Sequence, residues 1–101
     1  MNKDVFRKLR QMLMEELDLS RELSDKEILD VIDELILNQI KDVRLALKEK
    51  VQLRQELFYS VRKLDVLQEL VDDETVTEIM VNGPDTIFVE RAGKLMKWHK
   101  S

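Results

Sequence analysis

Residues 73–98 read DETVTEIMVNGPDTIFVERAGKLMKW, and this stretch decides the fold class. The run over residues 75–81 is rich in β-branched side chains and alternates with a period of two, which predicts a strand. The strand stops at four turn-forming residues, Asn82, Gly83, Pro84 and Asp85. Gly83 relieves the sterics of this turn and Pro84 presets φ, so we expect the chain to reverse here.

Two more strands are predicted beyond this turn. Residues 86–90 are predicted as the second strand, and residues 95–98 as the third, after Arg91-Ala92-Gly93-Lys94. The latter four residues predict a tight hairpin in which Gly93 supplies a positive φ. The result is a three-stranded antiparallel meander. Because such a sheet leaves an edge of unpaired amides, we expect the natural polypeptide to continue beyond Ser101.

The first 72 residues contain no Gly and no Pro, and their apolar residues recur every three or four positions. This spacing predicts a helix over residues 2–18. Ser24 and Glu27 match a capping box, so a second helix should begin at Asp25. That helix is apolar over more than one stripe, which suggests a central helix or an oligomer interface.

Helical spacing is lost between residues 41 and 50, where we expect a break in the chain's helices. It returns in a third helix that ends near Arg62 or Lys63 and carries Leu53, Leu57, Val61 and Leu64. A short fourth helix is predicted over Asp65 to Val71. The fold class is therefore α+β: a helical bundle over residues 1–63, then a short helix and strands over residues 64–101.

Composition excludes several classes of protein. The chain has 101 residues, a net charge of −4 from 17 basic and 21 acidic residues, and no cysteine. This length is too short for a complete large ATPase or dehydrogenase. Without cysteine there is no disulfide framework, and a structural zinc site would have only His99 and carboxylates. The charged start and the absence of a long apolar run argue against a signal peptide or a membrane span.

Candidate catalytic groups are sparse. The phosphate-binding pattern G-x-x-x-x-G-K-[ST] is absent, so Gly83 and Gly93 are interpreted as turn residues. The acidic run Asp72-Asp73-Glu74 lacks the spacing of a calcium loop and is interpreted as a solvated helix end. His99 has no second positioned group near it in sequence. We predict no catalytic residue, no metal site and no cofactor within these residues.

The last eleven residues are basic and contain no acid. They form a possible interface for a phosphate group or an acidic neighbour, and the alternative is a solvated strand face. Nucleic-acid binding is not expected from a chain of this net charge. The candidate interface residues are Arg91, Lys94, Lys97, Trp98 and Lys100.

The sequence resembles the N-terminal domain of CpaF/TadA-type ATPases, members of the secretion ATPase superfamily. The similarity is carried by Glu78-Ile79-Met80-Val81-Asn82-Gly83-Pro84-Asp85, by Ile87-Phe88-Val89-Glu90-Arg91 and by Gly93-Lys94-Leu95. The preceding residues 64–73 are similar to the family's approach helix, although Asp65-Val66 stand where the family often has Gly-Pro. The resemblance extends from about Leu53 to Trp98.

This resemblance implies a hexameric motor that powers type II or type IV secretion or Flp/Tad-type pilus assembly. In that family a helical bundle precedes a PAS-like domain, and a later RecA-like domain binds ATP and Mg²⁺. The resemblance carries over only the turn residues Asn82, Gly83, Pro84, Asp85 and Gly93, with a structural role. It implies a non-catalytic region at the cytoplasmic face of the inner membrane, in contact with other subunits and with platform proteins.

A second interpretation stays open, in which the chain is a stand-alone interaction or regulatory module. Its helical bundle would then bind a partner helix or associate with itself. A third is a phosphate or nucleic-acid contact by the basic strand. Its binding would weaken with salt and disappear when Lys94, Lys97 and Lys100 are neutralised.

Overall fold

The computed structural model describes residues 3–41, 45–82 and 86–99. The chain forms three helices followed by a three-stranded antiparallel sheet, so the predicted α+β class is confirmed. Its contacts divide it into two compact units, Met1–Arg62 and Lys63–Ser101. Each unit has its own cluster of buried apolar side chains.

The helices have clear boundaries. Helix α1 spans Lys3–Glu16, α2 spans Asp25–Gln39 and α3 spans Leu47–Asp72. The prediction that α2 begins at Asp25 is confirmed, and the expected break lies between the end of α2 and the start of α3. Residues 42–44 of that break lie outside the described residues.

A capping box starts helix α2. The backbone amide of Glu27 donates to the Ser24 hydroxyl at 3.1 Å, and the Ser24 amide donates to the Glu27 carboxylate at 3.3 Å. Two N–H groups that the first helical turn would leave unsatisfied are thereby paired. Arg21 also contacts Glu27, with 2.5 Å between Nη2 and Oε2. This pairing explains why four residues of sequence were enough to locate the helix start.

The core of the first unit is made of aliphatic side chains from all three helices. Helix α2 contributes to it and leaves Leu37 exposed, so its wide apolar surface is mostly core. Because these side chains recur every three or four residues, each helix turns one stripe inward. The buried residues are Leu9, Leu13, Leu17, Leu23, Ile28, Ile32, Leu35, Ile40, Leu53, Leu57 and Val61.

Two arginines of α3 add polar contacts to α2 at the edge of this core. Arg54 binds Asp33 through two bonds, of 2.7 Å from Nε and 3.1 Å from Nη2. Arg62 donates to the Leu23 carbonyl at 3.0 Å, binds Asp25 and stacks over the Phe58 ring. A guanidinium group can bind two partners at once. Arg62 therefore connects α3 both to the α1–α2 link and to the start of α2.

The prediction of a separate fourth helix over Asp65 to Val71 is wrong, since α3 continues without interruption to Asp72. The apolar stripe of Leu53, Leu57 and Val61 steps by four, but the next apolar residue that packs, Val66, comes five residues later. This change of phase looks like a helix end in the sequence. The backbone continues because no Gly or Pro lies between residues 47 and 72.

The sheet has the order β1-β2-β3, with β1 at Val76–Asn82, β2 at Thr86–Arg91 and β3 at Lys94–Lys97. The end of α3 packs on one face of it, through a cluster centred on Leu70, Ile87 and Val89. Trp98 joins this cluster, and its amide donates to the Ile87 carbonyl at 2.7 Å. The three predicted strands are therefore confirmed, with boundaries shifted by about one residue.

We predict that Asp65→Pro destabilises the protein by about 3 kcal/mol relative to Asp65→Ala, because a proline inside a helix removes a hydrogen bond and clashes with the preceding turn. The free energy of unfolding in urea, followed by circular dichroism, measures this. If residue 65 began a separate helix, proline would be well tolerated there and the two variants would be equally stable.

A second prediction concerns pH. The hydrogen bond from Arg21, followed by the Ser24 amide, lowers the pKa of Glu27 from 4.5 to about 2. As pH falls, the unfolded chain binds this proton first, so the stabilisation is complete above about pH 4.5 and is lost towards pH 2. Glu27→Gln should therefore be less stable than wild type at pH 7, and the gap should close by pH 2.

Melting temperatures of both proteins across this range test the expectation. Glu69→Gln, at an exposed position of α3, is the matched control and should follow the wild type. A gap between wild type and Glu27→Gln that is constant from pH 7 to pH 2 would contradict the role of the Glu27 carboxylate.

Candidate interaction surface

The predicted turn motif lies at the end of β1. Asn82 is the last residue of that strand and pairs with Thr86, the first residue of β2. Gly83, Pro84 and Asp85 lie outside the described residues. The expected role of those three as turn formers therefore stays a prediction, while the antiparallel pairing of β1 with β2 on either side of them is established.

The hairpin between β2 and β3 has two residues with positive φ. Gly93 has a φ of 78°, as predicted, and Ala92 has a φ of 51°, which the sequence did not indicate. Arg91 pairs directly with Lys94 across this two-residue loop. Positive φ at both central positions is the signature of a type I′ turn, which suits the twist of the strands and favours Asn-Gly over Ala-Gly.

The structure divides the predicted basic interface between the two faces of the sheet. Side chains of directly paired residues share a face, so Arg91 and Lys94 lie on the face that also carries Ile87 and Val89. Lys97 pairs with Phe88 on the opposite face. Trp98 is half-buried in the core cluster, and Lys100 lies outside the described residues. The described members of this set therefore do not form one continuous cationic patch.

Arg91 is held by an acidic partner. Its Nη2 lies 2.9 Å from the Asp73 carboxylate, just after the end of α3. Asp73 also accepts hydrogen bonds from the hydroxyl and amide of Thr75, and these bonds, more than Arg91, lower its pKa. The Arg91 Nε is buried without a hydrogen-bond partner among the described residues. Arg91 therefore joins the helix end to the sheet and is poorly placed to bind an external phosphate.

An uncovered apolar area lies on the opposite side of the sheet, which we call the open face. It carries Met80 of β1, Phe88 of β2 and Leu95 of β3. Together with Val81 and Asn82 these residues line a shallow depression. Met80 and Leu95 are 41% and 54% exposed, although both are large and apolar. Adjacent exposed apolar residues of this kind mark interaction surfaces in soluble domains.

Charged residues flank this apolar area. Glu78 pairs directly with Glu90 on the open face, and Lys97 lies beside Phe88. Two carboxylates opposite each other on neighbouring strands repel, so a cation or hydrogen-bond donor brought by a partner would be favourable here. The open face is thus an apolar strip with an acidic pair at one end.

The sequence interpretation missed the open face because it treated residues 75–81 as a simple alternation. A signal was present: Ile79-Met80-Val81 and Ile87-Phe88-Val89 are continuous apolar runs. Such runs are typical of strands covered on both faces, whereas one-sided strands alternate with polar residues. The two runs therefore indicated that both sheet faces carry apolar side chains.

Among the described residues, no three or more His, Cys, Asp or Glu side chains are placed to hold a metal ion. None of the described helices has the length and apolar character needed to cross a membrane. Comparison with models of known protein families gives no match, and comparison with curated proteins gives none.

We predict that Gly93→Ala destabilises the protein by about 1–2 kcal/mol, because an L side chain is strained at this φ. The destabilisation does not come from a steric clash, since a Cβ at Gly93 would meet no atom within 4 Å. Ala92→Asn should instead stabilise it by up to about 1 kcal/mol, since asparagine tolerates positive φ. Urea unfolding measures the change in the free energy of unfolding for each variant. Changes of the same sign for Gly93→Ala and Ala92→Asn would contradict the turn assignment.

Proposed function

We propose that this chain is the N-terminal, non-catalytic region of a hexameric ATPase of the CpaF/TadA type, which powers type II or type IV secretion or Flp/Tad-type pilus assembly. The observation that carries the proposal is the placement of the resembling residues. The motif residues described from Glu78 to Leu95 lie on three consecutive antiparallel strands preceded by a helix. That order along the chain fits the first strands of a PAS-like domain that follows a helical bundle in the sequence.

In this proposal the region has a mechanical role. The open face, with Met80, Phe88 and Leu95, packs against another part of the hexamer and passes ATP-driven movement towards a platform at the inner membrane. Its exposed apolar side chains support this, because they leave a surface that a neighbouring domain would bury. ATP and Mg²⁺ belong to a separate catalytic domain of the parent protein, since the phosphate-binding pattern is absent from these 101 residues.

The proposal is tested first by the natural reading frame. We expect it to continue past Ser101 into a glycine-rich phosphate-binding loop, and we expect the 101-residue chain alone to hydrolyse no ATP. A frame that stops at this point would overturn the proposal. So would steady ATP turnover by the purified chain that is abolished by a substitution within residues 1–101.

The mechanical role is tested in the parent protein. Leu95→Lys puts a charge on the open face, so it should reduce hexamer formation and ATPase activity at least several-fold. Tyr59→Lys is the matched control, because Tyr59 is 61% exposed on α3 and is not on the sheet. Light scattering measures the assembly. Equal assembly and turnover by both variants would contradict a role for the open face.

One observation favours the stand-alone module as a second candidate. The helical unit leaves three large apolar side chains exposed, Leu37, Leu47 and Val51, at 72%, 78% and 47%. An amphipathic partner helix could bury such residues. A reading frame that ends without a catalytic domain, combined with loss of partner binding in Leu47→Lys, would favour this candidate over the ATPase.

A further inference from the structure

The exposed apolar residues of the sheet are concentrated on its two edge strands. Met80 and Val81 are exposed on β1, and Leu95 and Met96 are exposed on β3, whereas Ile87 and Val89 of the central strand are buried. Neighbouring residues of a strand point to opposite faces. A partner lying on one face would cover only one residue of each pair. A strand added at an edge would cover both and also pair the free backbone groups.

The two edges differ in how well they are protected. Strand β3 has four residues and begins and ends with lysine, which discourages pairing with another strand. Strand β1 has seven residues, VTEIMVN, and contains neither lysine nor proline. Its irregular register between Val76 and Glu78 is confined to its first part. The segment from Glu78 to Asn82 is therefore the more open edge.

The direction of the backbone groups along β1 follows from two hydrogen bonds. The Ile87 carbonyl accepts from Trp98, so it points towards β3, and the Glu90 carbonyl accepts from the Thr77 hydroxyl at 3.1 Å, so it points towards β1. Because these directions alternate along a strand, Phe88 and Glu90 bond to β1. Their partners on β1 are Met80 and Glu78. The N–H and C=O groups of Ile79 and Val81 consequently point to the open edge.

We propose that, in the 101-residue chain, this edge pairs with the same edge of a second copy, antiparallel and centred on Met80. In that register Ile79 lies opposite Val81 of the second copy, and the pair exchanges both of its hydrogen bonds. Met80 lies opposite Met80, and Glu78 lies opposite Asn82. Two three-stranded sheets thereby join into one continuous sheet, and their open faces become one apolar surface.

Polar complementarity favours this register over the one centred on Glu78. Centred on Met80, the Glu78 carboxylate faces the Asn82 amide, which can donate a hydrogen bond to it. Centred on Glu78, two carboxylates would face each other, and like charges directly opposite are destabilising. The segment Glu78-Ile79-Met80-Val81-Asn82 is close to self-complementary about its middle residue, and this points to a second copy rather than an unrelated strand.

This contact is distinct from the ring contacts of the proposed hexamer. A two-fold pairing closes on itself, whereas neighbours in a cyclic ring meet head to tail. The inference therefore does not rest on the proposed function. Its test uses the 101-residue chain and measures association, not ATPase activity.

The first experiment is disulfide cross-linking, which is simple because the chain has no cysteine of its own. In the proposed register the two copies of residue 80 form a pair without hydrogen bonds, with Cα atoms about 4.5 Å apart. This distance lies within the roughly 4.4–6.8 Å range of disulfides. Met80→Cys should therefore oxidise almost completely to a covalent dimer. Leu95→Cys, on the other edge, should cross-link far more slowly.

The outcomes of this experiment show which edge of the sheet makes the contact. Faster cross-linking of Leu95→Cys would assign the contact to β3 and overturn the proposal. Equal rates for the two variants would indicate random collision and would also overturn it. The proposal fails as well if the wild type remains a monomer in sedimentation at its highest soluble concentration.

The second experiment uses proline to remove one outward N–H group. Val81→Pro deletes a donor that points to the open edge, so the dimer should dissociate while the sheet stays folded, as proline is tolerated on sheet edges. Leu95→Pro deletes the matching outward donor of β3 and should leave the dimer intact. Circular dichroism verifies the fold. A Val81→Pro variant that remains dimeric would overturn the proposal.

If Val81→Pro fails to fold, Met80→Lys replaces it, with Leu95→Lys as its control. Met80→Lys places two like charges opposite each other at the centre of the contact and should yield monomers. Leu95→Lys carries the same charge on the same face, away from the contact, and should still dimerise. Dimerisation of Met80→Lys at wild-type strength would contradict the β1 pairing.

Discussion

Both apolar cores of this protein depend on one uninterrupted helix. Leu53, Leu57 and Val61 of α3 are fully or almost fully buried in the core of the first unit, and Leu70 of the same helix lies in the cluster that covers the sheet. The helix has 26 residues, and no Gly or Pro interrupts it. Because neither the α1–α2 pair nor the sheet contains a complete core by itself, each requires its part of α3.

Charged groups in the structure are placed around the cores and not inside them. Arg54 and Arg62 fasten α3 to α2 at the margin of the first core, and Arg91 fastens the sheet to Asp73 after the end of α3. Among the described residues no polar or charged residue is fully buried. The apolar contacts therefore supply most of the stability, and these partly exposed ion pairs contribute much less.

Local patterns were predicted well, because each depends on a few adjacent residues. The start of α2 follows from Ser24 and Glu27, and the β2–β3 hairpin follows from Gly93 between two apolar runs. The fourth helix was wrongly predicted, since a shift in apolar phase after Val61 has the same appearance as a helix end. The positive φ of Ala92 could not be foreseen either, because alanine has no local preference for it and the pairing of Arg91 with Lys94 imposes it.

The sequence by itself determined the α+β order, the helix start at Asp25 and the three strands, since periodicity and turn residues act over short distances. Only the tertiary structure decided that α3 is continuous and that the basic residues near the C-terminus are divided between two sheet faces. It also decided that Met80 and Leu95 stay exposed while Val89 is buried. The physical reason is that burial depends on which face of the sheet α3 covers and on which strands are neighbours. Val89 lies on the covered face of the central strand, whereas Met80 and Leu95 lie on the open face of the two edge strands.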